Sequence, residues 1–409
     1  MSHCLSKRLC QLKIKRPFAK PFLALPALAL AVLAGCGNSG NASDSSSTGL
    51  PKEIVIGAAI AKTGYMAPYD ATIAAVEQLV EETNARGGVD GRQVRVIQSD
   101  TRSDPQQAVL AVQEVIEDGA DVIILSGEAL NAAAGSSIAE EESKLSISNA
   151  NEPGFGPPTT GRLSFSSYPS LLSEGSAAAS FLHDRDIEHP FLFRDTSLIY
   201  GRAHCSAFQQ AWEKLGGAIA GSADFENSDE SVASQVSELR SANADAVVMC
   251  SYPPGGAAVI KQIRAAGIDV PIMGPAGFDG TFWLKGIPDT KDIFATSNGS
   301  AYDPPDEASA KLFESLERAG VDTDVSSSLL GSYAGGQLIL NVIEETGSVE
   351  GDVLADALEA KPHKTILGKL KYTKDNHHTT RTWPIYSYSS GKPELVAKVK
   401  PRFIPEYGE

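Results

Sequence analysis

"DTRSDPQQAVLAVQEVIEDGADVIIL" (100–125) holds one complete helix-to-strand unit, and its reading sets the architecture. Asp104 is a residue type that caps helix N-termini, and Pro105 suits the first helical position, where the missing N–H costs nothing. Apolar residues then recur at helical spacing until Gly119 stops the helix. "ADVIIL" (120–125) follows as a strand. The same alternation extends outward. Upstream lie a strand (53–60), a helix (70–88) that ends in Gly87-Gly88, and a strand (92–100). Downstream lie a helix (131–143) and a strand (144–150). Alternating β and α segments of this length build a parallel, doubly wound sheet.

The rhythm restarts at "HPFLFRD" (189–195) and runs through helices at 201–217, 231–243 and 255–267 and strands at 218–225, 244–250 and 270–277. Within it, "DFENSDESVASQVSELRSANADAVVMC" (224–250) can be laid against the opening stretch. Both carry Asp, Ser-Asp, an apolar-periodic helix, Ala-Asp and an apolar strand, which supports two α/β lobes of like architecture rather than one long sheet. Helices at 306–320, 332–348 and 351–360 and strands at 368–373 and 383–399 then complete both lobes. The expected division is 52–168 plus 297–365 for lobe 1 and 169–296 plus 366–409 for lobe 2. A chain that returns to finish both lobes leaves several hinge strands, which suits closure by hinge bending.

The N-terminus reads differently. Residues 1–20 carry six basic residues and no acid, and "PFLALPALALAVLAG" (21–35) is apolar or small throughout. That run is shorter than the roughly 20 apolar residues a spanning helix needs, and has the form of a secretory signal. Leu33-Ala34-Gly35-Cys36 resembles the bacterial lipobox, which implies cleavage after residue 35 and a lipidated Cys36. Residues 36–51 are Gly, Ser, Asn and Asp with almost nothing to bury, the composition of a flexible tether.

The chain has 35 basic and 51 acidic residues; losing the six N-terminal basics leaves 29 against 51, a net charge of −22. A body this acidic excludes nucleic-acid binding through a phosphate-neutralising face and is repelled by anionic lipid, so the anchor alone should hold the membrane. Beyond the signal and Cys36 only Cys205 and Cys250 remain. In an exported chain they form either a disulfide or two buried thiols. His377-His378, in "KDNHHTTR" (374–381), reads as a solvated turn, and no Cys/His spacing suggests a metal site. Nucleophile elbows and Walker phosphate loops are absent, and "GFGPPTTG" (154–161) does not follow a strand with dinucleotide spacing. His204-Cys205 falls near a helix start and makes a weak catalytic pair. No enzyme, cofactor or metal is expected.

Over nearly all of 53–400, the order and spacing of "GAAIAKTGYMAPYD" (57–70), "TNARGGVDGRQV" (83–94), "YGRAHCSAFQQAWEKLGG" (200–217), "IKQIRAAGIDVPIMGPAG" (260–277) and "YAGGQLILNVIEETGS" (333–348) resemble the Leu/Ile/Val-binding family of type I periplasmic solute-binding proteins. The resemblance implies a membrane-anchored monomer outside the cytoplasm that captures a small polar or amino-acid-like solute for an ABC permease and ATPase complex. A lipoprotein that presents its ligand to a separate signalling receptor is the alternative. Ligands of doubly wound sheets bind at the carboxyl ends of the strands. Here those ends are 63–69, 126–131, 148–152, 195–200, 251–254 and 275–279.

Carried over residue by residue, the family's cleft aromatics fall on Tyr69, Tyr200 and Tyr252. The hydroxyl that would hold a ligand carboxylate falls on Ala129, the next contacting loop on Ala150 and Glu152, and the acid that would hold a ligand ammonium on Ala276. Both halves of an amino-acid clamp are therefore altered, which points to a different head group or to other atoms holding the same one. Glu128, Asn131, Asn149, Asn151, Glu152 and Asp279 are the available substitutes; amides suit an amide, urea-like or carboxylate group, and acids beside aromatics suit an amine or quaternary nitrogen.

Overall fold

The computed structural model describes residues 53–405. The signal, Cys36 and tether expectations fall outside the described residues. The first lobe is built on strands β1 (Glu53–Ile60), β2 (Gln93–Asp100), β3 (Val122–Leu125), β4 (Ser146–Ser148) and β5 (Ser164–Ser166). They are parallel throughout, in the order β2-β1-β3-β4-β5. The second lobe opens with β6 (Pro190–Asp195), β7 (Gly221–Phe225), β8 (Ala246–Cys250), β9 (Ile272–Gly274) and β10 (Ile293–Thr296). A small hairpin follows, β11 (His363–Thr365) and β12 (Gly368–Leu370). Antiparallel strands β13 (Trp383–Ser387) and β14 (Glu394–Val399) then complete the second sheet, in the order β14-β13-β10-β9-β8-β6-β7.

The inner parallel strands of both sheets, such as β3 and β8, are buried on two faces, as they must be when helices cover each side. On β8, Val247 and Met249 pack with Val236, Leu239, Ile260 and Ile263, whereas Val248 and Cys250 face Phe208 and Trp212. In the first lobe, Ile56 and Ile147 meet Leu338, Ile339 and Ile343 from the long helix Ser326–Thr346. Ile123 and Leu125 meet Val112, Val115 and Ala132 on the other face.

The repeated Ala-Asp does the same work in each lobe. Asp121 accepts the Val55 amide at 2.9 Å, tying the start of β3 to β1. Asp245 accepts the Glu188 and His189 amides at 2.7 and 2.9 Å, tying the start of β8 to β6. Asp104 caps its helix through the Gln107 amide at 2.9 Å; Asp229 accepts only the Glu226 amide in its own turn, so that half of the likeness does not extend to capping.

Four features differ from the sequence reading or resolve it. Helix Leu171–His183 was not expected, because "LLSEGSAAASFLH" is buried from Leu171 through Leu182 and shows no polar face to set a period. Leu367, Leu370 and Tyr372, given to lobe 2 by the sequence reading, pack in the core of the first lobe. His377 and His378 are buried, not solvated. The His377 ring stacks on Phe165 at 3.7 Å with Nδ1 2.8 Å from the Ser164 carbonyl, and His378 Nε2 lies 2.6 Å from the Phe155 carbonyl. Cys205, on helix Ile199–Lys214, and Cys250 form a disulfide with Cα atoms 5.5 Å apart. No helix among the described residues is long and apolar enough to cross a membrane.

Candidate functional site

The carboxyl ends of the two sheets face each other across a cavity of about 70 Å³, room on the order of five waters or one small solute. Each lobe supplies loops because doubly wound strands end where their helices begin, leaving polar turns on one rim. The first lobe brings Met66, Tyr69, Asp70, Gly127, Glu128, Asn149, Asn151, Glu152, Tyr168 and, from the long helix, Ser328. Tyr200, Tyr252, Ala276 and Gly277 come from the second.

The tyrosines form a nest of edge-to-face rings. Tyr252 lies 6.3 Å from Tyr69 and 5.7 Å from Tyr200, centroid to centroid. Tyr69 donates to the Gly277 carbonyl at 3.1 Å, a bond that spans the two lobes, and the Gly277 amide donates to the Tyr200 hydroxyl at 3.1 Å. Burial pushes all three phenols up, so they stay neutral. The Tyr252 hydroxyl is buried with no hydrogen-bond partner among the described residues.

Three carboxyl groups line the same space. Asp70 accepts the Ala61 amide at 2.8 Å and the Gly127 amide at 3.0 Å, stapling the end of β1 to the loop after β3. Glu128 caps helix Ala129–Glu141 by accepting the Asn131 amide at 3.0 Å. Glu152 accepts the Asn151 amide at 2.9 Å, and burial, reinforced by the charge of Glu128, pushes it up to about 8. Burial also raises Asp70 and Glu128. Among the described residues no Lys, Arg or His lines the cavity.

Of the candidate contacts named from the sequence, Tyr69, Glu152, Tyr200, Tyr252 and Ala276 line the cavity, while Ala129, Asn131, Ala150 and Asp279 do not. Ala150 is fully buried, its amide donating to the Ser148 hydroxyl at 2.9 Å. Asn131 is buried in the first turn of its helix. Asp279 accepts the Ser327 and Ser328 amides at 3.1 and 3.0 Å, bracing the start of the long helix from the opposite lobe. Sequence reasoning missed Asp70, Tyr168 and Glu174. Glu174 stands one layer behind Ala276, accepting the Ala276 amide and the Thr296 hydroxyl, and burial pushes it up to about 7. A carboxylate thus reaches the missing-acid position from another element; its one sequence signal is a lone acid in a Ser/Ala-rich segment.

The family model for periplasmic binding proteins matches residues 53–393. The chain belongs to that family. Its members are solute-binding proteins rather than enzymes. Among curated relatives it is similar to the Leu/Ile/Val-binding protein of Escherichia coli K12, 28% identical over 262 residues, covering 60% of this chain and 66% of that one. It thus spans just under two thirds of that relative. It is also similar to the leucine-, isoleucine-, valine-, threonine- and alanine-binding protein of Pseudomonas aeruginosa, 23% identical over 80% of this chain and 87% of the relative. The fold is shared with LivJ from Streptococcus pneumoniae in complex with isoleucine, at a TM-score of 0.76 and 21% identity, covering 85% of this chain and 100% of that one. A solute-binding protein from R. palustris in complex with benzoate superposes at 0.73, with 21% identity, covering 87% and 98%.

Proposed function

We propose that this chain is the solute-binding subunit of an ABC importer, a lipoprotein held outside the cytoplasm through Cys36. It captures one small polar or amino-acid-like solute between its lobes and hands it to a permease and ATPase complex. The observation that carries this reading is the cavity enclosed by strand ends of both lobes and spanned by the Tyr69–Gly277 hydrogen bond. A ligand there touches both lobes, so its binding energy favours the closed form, the differential contact a closure mechanism requires. The names of the relatives, which bind branched-chain amino acids, support a transport role. Tyr69, Glu152, Tyr200, Tyr252 and the Ala276 backbone are the proposed solute contacts. A thermal-shift screen of the purified protein against amino acids, amides, aromatic acids and amines tests the reading. A true ligand at a hundred times its Kd adds about 2.7 kcal/mol. A panel in which no member raises the melting temperature overturns it.

A further inference from the structure

The lining of the cleft specifies the charge of what enters it, an inference that rests on the solute-binding reading. Recognition of a carboxylate needs free N–H groups, hydroxyls or cations. The amides at the start of helix Ala129–Glu141 are the natural anion site in this loop, because a helix N-terminus presents unpaired N–H groups. Here that site is filled from within: the Glu128 side chain accepts the Asn131 amide. Asp70 likewise occupies the Gly127 amide. Glu152 adds a third carboxyl group, and no basic side chain stands among the lining residues. A ligand carboxylate would meet three acids, no basic side chain among the described lining residues, and a single unpaired hydroxyl there, that of Tyr252.

A cation meets the opposite situation. Tyr69, Tyr200 and Tyr252 form a ring nest of the kind whose faces attract a positive nitrogen, and Tyr168 adds a fourth ring to the wall. Glu152, 3% exposed, supplies an anion beside them. The Tyr252 hydroxyl, its residue 8% exposed, has no partner among the described residues and borders the same cavity, so it is open to a ligand. We propose that the cleft takes a small organic cation, a protonated amine or quaternary ammonium without a free carboxylate, its nitrogen held among Tyr69, Tyr200 and Tyr252 against Glu152. The cation neutralises a cluster that is otherwise self-repelling: Glu128 already pushes on Glu152, and burial disfavours the charge on both.

Calorimetric titration of the purified protein with tetramethylammonium, choline and n-butylamine, against isoleucine, benzoate and butyramide, tests this. At least one of the three cations should bind roughly a hundredfold tighter than isoleucine, benzoate or butyramide. Glu152→Gln should weaken that cation by more than about tenfold. Tyr252→Leu, which removes ring and hydroxyl, should weaken it about tenfold, and Tyr252→Phe, which removes the hydroxyl alone, should weaken it by less than that. Folding of each variant is checked by its urea midpoint. Tighter binding of isoleucine or benzoate overturns the cation proposal and leaves the receptor reading standing. Tighter binding of butyramide overturns it in favour of a neutral hydrogen-bonding solute. Silence from all six also overturns it, while the wider screen decides the receptor reading separately.

Discussion

Glu152→Gln separates two opposed roles of one buried carboxyl. Glu152 shares the cavity wall with Glu128, Tyr200 and Tyr252, and its folded-state value lies near 8 against an ordinary 4.5. An acid raised in this way favours the folded chain while protonated. As pH climbs past 4.5 the unfolded chain releases its proton first, and stability falls until about pH 8, where the folded chain releases its own. At 1.36 kcal/mol per pH unit the loss is roughly 3 kcal/mol at pH 7 and close to 5 by pH 9, both upper figures. Glutamine cannot ionise and its carbonyl still accepts the Asn151 amide. The ligand-free variant should therefore match the wild type near pH 4.5 and surpass it increasingly up to pH 9. Cation binding should move the other way, because a cation selects the ionised carboxylate. Wild-type protein should release about 0.9 proton per cation bound at pH 7, and affinity should rise nearly tenfold from pH 6 to pH 7 before levelling above pH 8. Urea melts at three pH values, with titrations in two buffers of different ionisation enthalpy, measure both effects. Wild-type binding independent of pH, with no proton released and no gain in stability for the variant at pH 9, would refute the reasoning.

Other perturbations address separate parts of the molecule. Replacing Cys205 and Cys250 together by serine opens a crosslink across 45 residues, which should cost about 4 kcal/mol and lower the thermal midpoint; an unchanged midpoint would mean the bond contributes nothing. Gly331→Ala places a Cβ 1.9 Å from the Tyr168 ring, so the variant should lose about 1–3 kcal/mol and bind solute more weakly, as read by calorimetry. Asp279→Asn removes one of the two acceptors that brace Ser327 and Ser328 across the lobes, and should shift scattering profiles of the ligand-free protein toward a larger radius. Cys36→Ser should move the protein from the membrane fraction to the soluble fraction of cells that express it, and unchanged fractionation would remove the lipid anchor from the account.

The fold was legible because its strands and helices each carry their period, and because Ala-Asp recurs where Asp121 and Asp245 close the start of a strand. Tyr69, Tyr200 and Tyr252 were named through the family resemblance, and they line the cavity at the ends of their strands. What escaped was set by tertiary packing. Helix Leu171–His183 is buried on nearly every side, so nothing in its pattern distinguishes a face, and Glu174 went unseen with it. His377 looked solvated among charged neighbours, but it stacks on Phe165 in the first lobe. Asp279 looked like a ligand acid, and only the long helix arriving from the other lobe claims its oxygens. Glu128 likewise was a candidate ligand acid, and its hydrogen bond to the Asn131 amide shows it capping helix Ala129–Glu141.

The crystal structure of the protein grown with its tightest-binding cation is the most direct measurement. The nitrogen should lie between the lobes among Tyr69, Tyr200 and Tyr252, with Glu152 its nearest anion and Glu128 still capping its helix. A ligand outside that space, or a ligand carboxylate seated on the amides of helix Ala129–Glu141 with Glu128 displaced, would contradict it.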